Sequence, residues 1–173
     1  TGMTLLYSPL ASPLIMQFNT VWTHWSLNKP AGIGYKKKEW SGDDLKNYSI
    51  HIQYPYRNIR LVGEIAYSGG QQFAILHSGA TSISKKMDLS YLIRFYSAGY
   101  FSPKSNGLSE NSENLNEMGL FLGHSYQINK HWKLSSYFDY FRFPEPKYQV
   151  DVANTIGWEM LSRLIWEKRH LAR

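Results

Sequence analysis

"HWKLSSYFDYFRFPEP", residues 131–146, sets six aromatic rings among a lysine, an aspartate and an arginine before it reaches Pro144. Sorted by alternation, Trp132, Leu134, Phe138 and Tyr140 fall on one side, and Lys133, Ser135, Tyr137 and Asp139 on the other. That period of two belongs to an extended strand, where successive side chains point to opposite faces.

The same period recurs upstream and downstream. "YSIHIQY" aligns Tyr48, Ile50, Ile52 and Tyr54 against Ser49, His51 and Gln53. "NIRLVGEIAY" aligns Ile59, Leu61, Ile65 and Tyr67 against Arg60 and Glu64. "MDLSYLIRFY" sets Met87, Leu89, Tyr91, Ile93 and Phe95 against Asp88, Ser90 and Arg94. "EMGLFLGHSYQI" sets Met118, Leu120, Leu122, Tyr126 and Ile128 against Gly119, Gly123, Ser125 and Gln127.

Charges played no part in choosing these faces, so they provide a check. Arg60, Glu64, Asp88, Arg94, Glu117 and Lys133 take the polar face, as do Asp139, Glu159, Arg163 and Glu167. Arg142 and Lys168 depart from it, both at strand ends. Segment 158–170 fits a helical period as well as a strand, because Trp158, Leu161, Leu164, Ile165 and Lys168 also share a helix face. Its neighbours favour the strand.

Composition separates the kinds of fold such strands could build. Aromatics are 16 % of 173 residues, yet mean hydropathy is −0.41, an unusual balance for a core that would lean on aliphatics. No apolar run reaches the ~18–20 residues of a membrane-spanning helix, and the absence of cysteine excludes disulfides and thiolate metal sites. The net charge of +6 gathers partly in Lys36–Lys38 and in Lys168, Arg169 and Arg173, runs that usually mark solvated surface. Short turns at Pro55–Arg57, Ser84–Lys86 and Asn129–Lys130 contrast with long polar loops at 101–116 and 144–156. Strands with short turns at one end and long loops at the other are the pattern of a transmembrane β-barrel. Trp158 and Trp166 lie eight residues apart; at ~3.4 Å per residue and a tilt near 40°, that is roughly 20 Å along the membrane normal. Such a spacing suits two aromatic girdles.

"NEMGLFLG" (116–123), "WKLSSYFDYFRFP" (132–144) and "YQVD" (148–151) resemble the β-barrel portion of outer-membrane proteins of Bacteroidota that carry helix-hairpin-helix repeats. "EWSGDD" (39–44) and "GEIAYS" (63–68) fit the same pattern less specifically. The resemblance implies a bacterial outer-membrane location, extracellular loops at 101–116 and 144–156, and a periplasmic helical region elsewhere in the parent chain. The helix-hairpin-helix element, which would carry any DNA contact, is not in this sequence. Pro144-Glu145-Pro146 departs from the aromatic expected after "FRFP".

The expectation is therefore an all-β fold, an antiparallel up-and-down transmembrane β-barrel of about eight meander strands, with the clear strand meander at 47–168. Residues 10–46 are read as an irregular, long-loop region, and the whole of 1–173 as one segment of a larger barrel. A lumen-facing charge network is expected from Arg60, Glu64, Asp88, Arg94, Asp139, Glu159 and Arg163. A lipid-facing belt is expected from Tyr48, Tyr54, Trp132, Phe138, Tyr140, Trp158 and Trp166. The function expected is a non-enzymatic membrane anchor or conduit, with outer-membrane lipid, the remainder of the parent chain and other envelope proteins as partners. No cofactor or metal is expected. A soluble β-sandwich that binds glycans through exposed rings is the alternative. A barrel hydrolase ranks below it, because His124 and Ser125, as neighbours on one strand, point to opposite faces and cannot form a dyad.

Overall fold

A computed structural model describes residues 1–69 and 72–167 of the chain, apart from the side chain of Tyr35. The expectations placed on Lys168, Arg169, His170 and Arg173 lie outside these residues. Nine strands follow one another: β1 (Gly2–Tyr7), β2 (Ile15–Lys29), β3 (Gly42–Tyr56), β4 (Ile59–Ser68), β5 (Gln72–Ser84), β6 (Met87–Tyr96), β7 (Glu117–Gln127), β8 (Trp132–Phe143) and β9 (Thr155–Trp166). Each pairs antiparallel with the next, forming one sheet in the order β1 to β9. The sheet is not closed: β1 and β9 are its edges.

Two expectations are corrected. There are nine strands where about eight were expected, and 10–46 is not irregular throughout. Ile15–Lys29 forms a strand of 15 residues, and β3 begins at Gly42 rather than near 47. In β2, Thr20 and His24 sit among Met16, Phe18 and Trp22 on one face, while Val21 and Trp25 occupy the other. Alternation is therefore blurred in the sequence, although the ladder to β3 is regular from Ile15 to His24. Thr155–Trp166 is a strand, which resolves the ambiguous C-terminal segment in favour of β9.

Because neighbours run antiparallel, connections fall alternately at two ends. One, the turn end, carries 8–14, 57–58, 85–86 and 128–131. At 57–58, Arg57 takes a left-handed φ of 54°. At 128–131, Asn129 Oδ1 accepts the backbone N–H groups of His131 and Trp132 at 2.9 and 3.1 Å, an Asn-built turn. The other, the loop end, carries 30–41, 97–116 and 144–154.

The faces follow the sequence phase, with burial reversed from a water-soluble sheet. Leu61, Gly79, Tyr91, Leu122, Phe138 and Met160 stand in one row across β4 to β9. This row belongs to the outer face, which holds the exposed Ile50, Ile65, Ile75, Ile93, Leu120 and Leu164. The small buried cluster, Ala66, Ala74, Tyr96 and Tyr100, lies on the opposite, inner side, and so do the buried charges.

Candidate functional site

The inner face is where unlike chemistries gather, and its loop-end half is built around Arg94. Arg94 in β6 donates from Nε to Glu117 Oε1 at 2.5 Å and from Nη1 to Asp139 Oδ1 at 2.9 Å. The three residues are 1 %, 0 % and 2 % exposed, so this is a buried ionic triad with one cation for two carboxylates. Arg94 Nη2 has no hydrogen-bond partner. A side chain leaving β6 reaches β8 only by crossing β7, and Gly119 provides the passage. A Cβ there would lie 2.4 Å from Arg94 Cζ, so any larger residue would occupy the guanidinium's place.

Glu117 also ties the wall to the loop above it. Its second oxygen, Oε2, accepts Ser109 Oγ at 2.9 Å and the backbone N–H groups of Glu110 and Asn111 at 2.9 and 3.3 Å. Tyr96 adds a donor from its hydroxyl to Leu108 O at 2.8 Å. Asn116, at a φ of 52°, then joins this loop to the next. Its side-chain amide donates to Glu145 O and accepts from Glu145 N, both at 2.9 Å. Lys38 reaches Glu145 Oε1 at 2.6 Å from the third loop. The three long connections thus dock on one another and on the strand ends. Glu110 stands above this acidic group. Burial, then the charges of Glu159, Asp139 and Glu117, push its carboxyl above the ordinary carboxylate range, with Arg94 offsetting part of the effect.

The turn-end half is open. Here the sheet curves around a cavity of about 700 Å3, lined from Arg60 in β4 to Arg163 in β9. Its wall sets the hydroxyls of Ser90, Ser125 and Ser135 beside apolar surface from Leu89, Phe121 and Leu161.

Of the seven charges read as one network, Arg94 and Asp139 meet. Glu117, which that set omitted, joins them. Glu64 faces His51 Nδ1 at 3.9 Å. Asp88 accepts Ser82 Oγ at 2.6 Å, and Glu159 accepts Tyr137 Oη at 2.7 Å. Among the described residues no salt bridge reaches Arg60 or Arg163. The inner charges therefore form one tight triad and several separate partnerships. Glu117 carried a signal in its polar-face position, but nothing in the sequence gives the cross-strand register that brings it beside Arg94.

The seven belt residues all lie exposed on the outer face, with Trp158 at 67 %. Trp132 and Trp166 are register partners toward the turn end, and Tyr140 and Trp158 toward the loop end. Tyr54 lies near the turn end and Tyr48 near the loop end. Phe138 sits between these levels and stacks on Trp158 at 6.3 Å. His124 and Ser125 alternate across the sheet, and no hydrogen bond joins them among the described residues. No family model, curated protein or solved structure matches the chain.

Proposed function

We propose that the chain is a non-enzymatic outer-membrane β-barrel segment, acting as the membrane anchor or conduit of a larger envelope protein. The observation that carries this reading is the inversion of the sheet. Aliphatic and aromatic rows lie exposed on one face, while an arginine and two carboxylates are buried on the other. Water penalises a broad apolar surface, and soluble monomers rarely leave more than a few hundred Å2 of it contiguous. Hydrocarbon removes that penalty, and in lipid every strand must alternate apolar-out with polar-in. Further support comes from the all-neighbour antiparallel order, the segregation of long loops to one end, and the resemblance to Bacteroidota outer-membrane barrels. In this reading the loop end faces the cell exterior.

The test is made on chain refolded into detergent. It should partition with the detergent and give a β-type circular dichroism spectrum. A cysteine replacing Phe138 should react with a lipid-soluble maleimide and not with a charged one. Phe138→Arg should destabilise the bilayer-inserted chain by ~2–4 kcal/mol, as a cation near the midplane does. Reaction of position 138 with the charged reagent while position 139 stays protected would overturn the assignment of faces.

A further inference from the structure

The open half of the inner face has a construction that the anchor or conduit reading does not require. One register row crosses it as Arg60, Ala80, Ser90, Gly123, Tyr137 and Leu161. The adjacent row runs Ser82, Asp88, Ser125, Ser135 and Arg163. The middle of both rows is low, so a trough runs across the strands with a guanidinium at each flank. Gly123 keeps it low, since a Cβ there would come within 2.7 Å of Ser90 Oγ and 3.1 Å of the Phe121 ring. The wall offers hydroxyls from Ser90, Ser125 and Ser135, and the Phe121 and Tyr137 rings stack at 5.3 Å on its loop-end side.

Charge is sorted along the same face. Glu117 and Asp139 are gathered at the loop end around Arg94, whereas neither Arg60 nor Arg163 has a carboxylate partner among the described residues. The one carboxylate in the trough, Asp88, is held by Ser82. Two fork-shaped donors without counter-ions, set beyond a floor of hydroxyls, match planar anionic groups joined by a hydroxylated body. Five strand-to-strand steps separate β4 from β9, about 24 Å along the curve at ~4.8 Å per step. The straight span across the curve is shorter than that, and a ligand with an acidic group at each end meets both flanks. A bare phosphate would leave the hydroxyl floor and the ring pair unused.

We propose that this trough binds a short anionic oligosaccharide, its acidic groups held by Arg60 and Arg163 and its rings laid over the serine floor. The proposal deepens the conduit reading by naming a solute class, and it rests on that reading for how the solute arrives.

The experiment is calorimetric titration of the full chain, refolded in lauryldimethylamine oxide so that no sugar-based detergent competes. The probes are trigalacturonate, the neutral trimer maltotriose and inorganic phosphate. Trigalacturonate should bind, with maltotriose and phosphate each at least tenfold weaker. Arg60→Gln and Arg163→Gln should each cost about tenfold, the weight of one charge-assisted contact. Lys37→Gln, on a distant loop, should change nothing, and Gly123→Leu should abolish binding by filling the floor. Equal binding of maltotriose or phosphate, unchanged affinity in both arginine variants, or no heat from millimolar trigalacturonate in a chain with native circular dichroism would overturn the site. Detergent partition of the same preparation reports separately on the barrel. A chain that partitions without binding sinks only the trough, and one that binds while soluble in water sinks only the membrane reading.

Discussion

The two halves of the inner face use arginine in opposite ways. At the loop end Arg94 is 1 % exposed, holds two carboxylates and lies beneath a docked loop. At the turn end Arg60 and Arg163 are exposed and unpaired among the described residues, over a low floor. The difference shows what burial of an ion demands in a curved sheet: counter-charges on neighbouring strands, a glycine to let the side chain cross, and a loop to exclude water. Where these are missing, the ion stays in solvent and remains available to something else.

The sharpest way to break this contrast is Arg94→Met. It leaves Glu117 and Asp139 buried without their cation, and urea unfolding of the refolded chain should show a loss of about 3–5 kcal/mol. Arg163→Met, measured alongside, should stay within about 0.5 kcal/mol, as surface substitutions do. Equal losses would mean that the two halves are not distinct. A smaller effect is expected from Gly119→Ala, whose methyl would displace the guanidinium from its double anchor at a cost of about 1–3 kcal/mol. Gly123→Ala meets chiefly a serine hydroxyl that can rotate, so it should cost less than Gly119→Ala in the same assay.

The smallest effect sharpens the comparison through pH. Because Glu110 binds its proton more tightly with the loop docked, its contribution to docking is complete below the ordinary glutamate value of 4.5 and is lost as pH rises through the raised one. Proteolysis within 97–116 should therefore accelerate as pH rises through that window in the native chain. In Glu110→Gln the rate should be flatter over the same range. A steeper profile in the variant would reverse the assignment of the strain to Glu110.

Much of this architecture could be read from the chain alone, and the exceptions have physical causes. In β6 through β9 the charges in mid-strand keep to one face and most of the other face is apolar, so a period of two gives strand, phase and outward belt together. β2 escaped because Thr20 and His24 share a face with Phe18 and Trp22 while Val21 and Trp25 lie opposite. Its outward histidine is matched by Asp44 at 3.1 Å on β3, a compensation invisible to any one-strand pattern. The charges of the triad were legible as polar-face residues, but their meeting depends on register, which turns and ladders set. The docking of 97–116 was hidden for a different reason. Two of the three donors to Glu117 Oε2 are backbone N–H groups, which every residue but proline carries.

The sequential order of the ladders has a consequence for how the molecule comes into being. Since among the described residues each strand pairs only with its predecessor and successor, assembly can advance by accretion, one hairpin at a time, without waiting for remote segments to find each other. That ease is offset at the margins. Among the described residues β9, a strand of 12 residues, pairs on one side only, and every second residue points its peptide donor and acceptor outward, a template for another extended chain. An edge of that kind is exposed from the moment the strand forms, and covering it is what would keep copies of this sheet apart.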